Sequence, residues 1–230
     1  MDKIILLVVC MAAGLAIRRF RILPPDSYKV LNELLIHFFM PALILVQITQ
    51  LAFDRRFLFP ILVAWIIFSL AIVFFIAVGK WLKVPPKSTA ALIITGGISS
   101  TSFLGFPIFE MLYGSEGLQV AILMSQAGSF LIGITLGVAV ASWYASATPS
   151  MTEISKNVIR FPPFIAFLVA VLLNISDIHF PVVINELLLR LSGPFTVLAL
   201  LSVGMQINLS PSVRSGKLLR IGLLLSLIHI

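Results

Sequence analysis

The sequence predicts an all-α membrane protein built from an inverted five-helix repeat whose second copy is incomplete within the 230 residues. Three observations predict it. The mean hydropathy is +1.12 and only 11% of residues are charged, where soluble domains carry about a quarter. Apolar runs near the roughly 20 residues that cross a bilayer recur at 4–17, 34–53, 57–79, 89–112, 118–143, 161–175 and 183–207, with an eighth starting near Leu218. Finally, VLNELLIHFFMP (Val30 to Pro41) returns 153 residues later as VINELLLRLSGP (Val183 to Pro194), with Val, Asn, Glu, two Leu and Pro identical.

The first run follows Met1-Asp2-Lys3 and reaches Arg18-Arg19 without a small-x-small cleavage site, so it is expected to remain as a span. Cys10 lies alone within it, which excludes an internal disulfide framework. Threading all the runs through a membrane distributes the 16 Lys and Arg unevenly. Arg18, Arg19, Arg21, Lys29, Lys80, Lys83, Lys87, Lys156, Arg160, Arg214, Lys217 and Arg220 fall on one side, against Lys3, Arg55 and Arg56 on the other and Arg190 inside a run. The positive-inside rule makes the richer side cytoplasmic and the N-terminus external. The expected localisation is a multi-pass protein of the cell (inner) membrane. The net charge of +7 is then a topology signal, and nucleic acid is excluded as a partner.

The second and seventh runs hold the two copies of the repeat. They enter the membrane from opposite sides, so the copies are inverted, as in many secondary transporters. Pro41 and Pro194 are expected to break the helices at the same place in each copy. Glu33/His37 and Glu186/Arg190 are i, i+4 pairs near span entrances, read as snorkelling anchors. Gln47 and Gln206 are assigned to interfacial or helix–helix roles, with a cavity-facing role as the alternative. The third run, Phe57 to Gly79, contains no carboxylate. Trp65 lies in a span, and Trp81 and Trp143 suit the membrane–water interface.

The fourth run contains TGGISSTSFLGFP (95–107), with three glycines, a proline and five hydroxyls in thirteen positions. Gly96 and Gly97 weaken a helix there, and Pro107 is expected to clash with the carbonyl of Phe103. A broken helix at bilayer depth is tolerated only inside protein or beside a wet cavity. Its half-helix ends carry partial charges of roughly half an electron. Ser99, Ser100, Thr101 and Ser102 add neutral hydroxyl donors suited to holding a carboxylate loosely, together with Gly105 and Pro107 at the turn. The competing reading is that these small residues only let helices pack closely. Gln126 and Ser129, three apart in the fifth run, are candidates to face the break or to serve a packing hydrogen bond.

The expected organisation is a first five-helix repeat over 1–145, a cytoplasmic connecting loop over 146–160 and the start of the second repeat over 161–230. A complete second unit would reach about residue 300. The final LSLIHI (225–230) reads like one frame of a sequencing-library adapter, so the natural chain is expected to continue.

SSTSFLGFPIFEMLYGSEGL (99–118), LNELLIHFFMPALIL (31–45) and LALLSVGMQINL (198–209) together resemble the auxin efflux carrier family, from about Leu6 to Leu219. The resemblance implies ten spans in two inverted repeats, the fourth and ninth being broken crossover helices at the substrate site. Phe103, Gly105 and Pro107 match the family's crossover motif. Many members carry an Asn ahead of this turn. Ser100 stands near that place here and offers fewer hydrogen bonds than an amide. Plant members also use an acidic group in the third span, which this chain lacks, so coupling through that position is not expected.

The function expected is a secondary transporter, a permease or efflux carrier, moving a small organic anion such as a mono- or dicarboxylate by alternating access. A non-transporting sensor or scaffold, or a channel, is the alternative. No H-E-x-x-H occurs, His37, His179 and His229 are scattered, and no Walker motif is present, so neither an enzyme nor a primary pump is expected. Catalytic residues, metal and cofactor are expected to be none. The expected partners are the organic anion, a proton or sodium ion as coupling candidate, membrane lipid, and a second copy of the chain as the candidate for a homodimer.

Overall fold

A computed structural model describes residues 2–51, 57–98, 102–145 and 160–207, and among the described residues every regular element is a helix. α1 (Asp2–Arg19) is apolar from Ile4 to Ile17 and ends in a basic turn. α2 (Ser27–Leu34) runs through a π-helical turn, Leu35–Phe39, into α3 (Met40–Thr49). α4 (Leu58–Trp81) follows, and then α5 (Pro86–Gly97), which starts on its proline, where a missing N–H costs nothing. α6 (Gly105–Leu123) continues through π-helical Met124–Phe130 and Gly133–Gly137 into α7 (Val138–Ala145). α8 (Pro162–Ile175), α9 (Val182–Ser192) and α10 (Phe195–Gln206) complete the described chain.

Among the described residues, four helical stretches are long and apolar enough to cross a bilayer: Ser27–Thr49, Leu58–Trp81, Gly105–Tyr144 and Val182–Gln206. Their outer faces suit lipid. Phe59, Leu70 and Val73 of α4 are exposed, as are Trp81 and Trp143.

Two expected breaks are resolved differently. Pro41 does not end its helix. The preceding π turn, in which the Met40 N–H reaches back to Leu35 O, widens the backbone so that the proline ring is accommodated in the first turn of α3. Pro194 does mark an interruption, lying with Gly193 between α9 and α10.

The fourth and fifth runs are joined without a loop. Gly114, at φ 70 and ψ −154, makes the bend alone in a region open essentially only to glycine. The chain doubles back there: a Cβ added to Gly117 would come within 2.8 Å of the Phe109 carbonyl oxygen.

The interior is built where the interrupted helices meet. Leu35, Ile44, Ile48, Phe106, Ile122, Phe164 and Phe195 are buried in one cluster, and Ala64, Phe68, Phe75, Ile93 and Ile132 in a second. The stretch Ser27–Thr49 packs on the stretch Val182–Gln206, α2 on α10 and α3 on α9, so the two stretches run antiparallel. Ser202 of α10 donates a hydrogen bond to Asn32 of α2 across this seam.

Polar groups close exposed helix ends. The Asn174 amide donates to the carbonyls of Ile48, Thr49 and Leu51 at 2.8–3.0 Å. Arg18 donates to Met205 O at 3.0 Å and Gln206 O at 2.9 Å. Both supply side-chain donors to carbonyls at the ends of α3 and α10, where backbone donors run short. At the other end of the second run, Glu33 and His37 form the expected pair at 3.2 Å with both side chains exposed.

Candidate functional site

α5 ends at Gly96-Gly97, both buried. A Cβ on Gly97 would lie 2.8 Å from a ring carbon of Phe68, so close packing and weak helix propensity act at the same residue. Ile98 then turns extended (φ −102, ψ 109), and Ser102 to Leu104 form a turn before α6 begins at Gly105. The helix is therefore interrupted where the hydroxyl-rich stretch predicts. The expected clash at Pro107 does not arise. Phe103 is outside the helix, and Pro107 occupies the first turn of α6, where the lack of an N–H costs no intrahelical bond. Pro107 lies in the first turn of the second half-helix and does not cause the break.

Ser99, Ser100 and Thr101 lie outside the described residues. Ser102 is placed, and its Oγ is 2.9 Å from the Oγ of Ser125. Gln126 Nε2 lies 3.4 Å from the same Ser125 oxygen. Gln126 is 1% exposed, and its Oε1 has no hydrogen-bond partner among the described residues. Leaving a buried acceptor unpaired costs about 1–3 kcal/mol. Gly105 is half-buried beside this group, Pro107 is buried, and Ser129 is half-buried further along the same π-helix.

The π-helical turn explains the grouping. Met124–Phe130 is wound more widely than an α-helix, a distortion often found at functional sites. It is fixed from α4, where Trp65 Nε1 donates to Ala127 O at 3.1 Å and Ala64 lies 2.8 Å from where a Cβ on Gly128 would stand. The sequence points to Gln126 and Ser129. The structure adds Ser125 as the residue that touches the break, and Trp65 as the clamp behind it.

The remaining candidates lie apart from this group. Gln47 lines a cavity of about 970 Å³ beside the Gly114 bend, with Gln50, Phe109, Tyr113, Glu116 and Gln119. Gln119 Nε2 donates to Gln47 O at 3.0 Å across it. Gln206 is exposed at the end of α10 and bonds back to Ser202. Among the described residues no His, Cys, Asp and Glu group could hold a metal ion.

Chemically, the break gathers uncharged hydroxyls and an amide between the carbonyl end of α5 and the N–H end of α6, two opposed partial charges. Such a site can orient a small polar solute without fixing it by a full charge.

Residues 1–220 match the family model described as membrane transport protein. An "Uncharacterized transporter" of Methanocaldococcus jannaschii is 24% identical over 215 residues, which cover 90% of this chain and 69% of that protein. A second "Uncharacterized transporter", from Methanothermobacter thermautotrophicus, is 31% identical over 120 residues, 52% of this chain and 38% of that one.

Proposed function

The chain belongs to the membrane transport protein family, the auxin efflux carriers whose motifs it carries, and from that premise we propose that it is a secondary carrier for a small organic anion. The observation that carries this reading is the helix interrupted between Gly97 and Gly105 with the uncharged Ser102–Ser125–Gln126 group against it. A mono- or dicarboxylate accepts hydrogen bonds from hydroxyls, and the absence of a fixed cation among these three residues permits release. Alternating access needs two halves that can tilt about the site. The antiparallel packing of the two repeat copies supports such halves, divided as 1–145 and 161–230.

Counterflow into proteoliposomes tests the proposal, using the full natural chain and a panel of labelled mono- and dicarboxylates. Saturable exchange of at least one acid is the expected result. Binding without exchange would establish a sensor or scaffold instead, and unitary current steps in a planar bilayer would establish a channel.

The arrangement in the cell membrane follows from the basic residues. With Cys10 replaced, single cysteines at positions 83 and 156 should react only with reagent from the cytoplasmic side, and those at 55 and 115 only from outside. Labelling of 55 and 115 from the cytoplasm alone would reverse the orientation.

A further inference from the structure

Glu110 is half-buried, whereas Asp26, Glu33, Glu116, Asp177 and Glu186 are all exposed. It sits on the half-helix between the break and the Gly114 bend, five residues beyond Gly105 and four before Gly114. At 1.5 Å per residue this puts it about 7 Å along the helix from the break. A carboxylate inside a spanning element is costly and points to a function in ion or proton movement.

Its partner is equally placed. Thr196 Oγ1 donates to Glu110 Oε2 at 2.6 Å, and Thr196 is the second residue of α10, just past Pro194. The hydrogen bond therefore ties the half-helix after one interruption to the helix after another. An ionised Glu110 accepts this bond and faces the positive end of α10. A neutral Glu110 loses the charge-assisted part of the bond, which is about half its strength. Phe109 and Tyr113, flanking it on the helix, line the 970 Å³ cavity, which gives water a route to its vicinity.

The neighbouring elements leave few competing charges. α3 and α10 carry no charged or titratable side chain along their lengths, and α4 carries only Lys80 in its last turn. α1 contributes Asp2 and Lys3 at its start, Cys10, and Arg18 and Arg19 at its end, with Arg18 held by Met205 and Gln206. On its own element, Tyr113 and Glu116 are the nearest titratable groups in sequence.

We propose that Glu110 is the proton-coupling residue of the carrier, a latch between α6 and α10 that opens when its carboxyl takes up a proton. This rests on the carrier reading above. The proton comes from water on one side, neutralises the carboxylate, frees α6 from Thr196, and leaves to water on the other side after the rearrangement. The anion travels with it, so the charge moved is reduced by one.

The test separates exchange from accumulation. With one proton per anion, an inward gradient of one pH unit drives about tenfold accumulation. Proteoliposomes of the full natural chain, loaded with the acid found by counterflow, should show this in the wild type. Glu110→Gln keeps a hydrogen-bonding oxygen but cannot release a proton. It should exchange labelled acid within about twofold of wild type, since the neutral amide mimics the protonated, unlatched carboxyl, and should not accumulate it on a pH gradient. Glu110→Asp should recover accumulation. Accumulation by Glu110→Gln equal to wild type would overturn the proposal, and so would loss of exchange and accumulation together in both variants, which marks a structural contact. If the wild type exchanges no acid, the carrier reading falls. Infrared difference spectra on acidification then decide Glu110 alone: a protonated-carboxyl band present in wild type and missing in Glu110→Gln supports a titrating latch, and identical spectra reject it.

Discussion

Gly204→Leu is expected to abolish the packing of α1 on α10 and to lower the thermal midpoint more than any other single change considered. The two helices cross at Gly14 and Gly204. A Cβ on Gly14 would lie 2.8 Å from Met205 N and 2.9 Å from Gly204 Cα, and one on Gly204 would lie 3.0 Å from Met11 Cα. These are backbone atoms, which cannot rotate aside as a side-chain tip can. Small residues at such crossings let backbones approach closely enough for dispersion to hold helices together where hydrophobic driving force is weak. Overpacking a filled site typically costs about 1–3 kcal/mol. With backbone on both sides the upper end applies, roughly 6–12 °C in the midpoint for a chain of this size. Separation would also withdraw Arg18 from the carbonyls of Met205 and Gln206. Gly133→Ala is the control, because among the described residues its added Cβ would meet nothing nearer than Ile98 at 3.8 Å. Fluorescence-detected thermal shifts in detergent measure both. Equal midpoints for Gly204→Leu and Gly133→Ala would show that the crossing is not tightly packed.

The helices were legible in the sequence because each depends on many residues. Hydropathy sums over a run, so single exceptions do not hide it. The interruption at Gly97–Gly105 was legible for a related reason, since three glycines and a run of hydroxyls conflict with the helix around them. Features that depend on one residue were harder to read. Gly114 makes a whole turn through its own backbone angles, and nothing in the hydropathy separates it from Gly117 three residues on. Pro41 was expected to break its helix, but the π turn before it absorbs the ring, and five unremarkable residues from Leu35 to Phe39 do not announce a change in winding.

The same change in winding explains the site residues that were missed. In an α-helical register Gln126 and Ser129 lie three apart and could share a face. In the π-helical register the direct contact with Ser102 falls to Ser125. Glu110 carries no such signal in the sequence, because acid chemistry shows there as paired carboxylates, whereas this contact joins one carboxylate to a partner 86 residues away. Thr196 carries no signal of its own in the sequence. Its role depends on α10 starting next to the half-helix of α6, which only the fold provides.

Gln126→Leu is expected to separate function from stability at the break. The side chain is buried, its Oε1 has no partner among the described residues, and its amide contact to Ser125 is long at 3.4 Å. If Gln126 served packing alone, its replacement by a leucine of similar volume would remove an unpaired acceptor and leave the Ser102–Ser125 bond intact. The protein should then be as stable or up to about 1 kcal/mol more stable, and transport should be unchanged. Residues kept against their own stability tend to be those that act on something else. The expected result is therefore an unchanged or raised thermal midpoint, together with exchange of the transported acid slowed by tenfold or more, equivalent to about 1.4 kcal/mol lost from the rate-limiting step. Midpoints and counterflow rates measured on the same preparation check it. Exchange at the normal rate, whatever the midpoint, would make Gln126 a structural residue, and the site at the break would then rest on the hydroxyls alone.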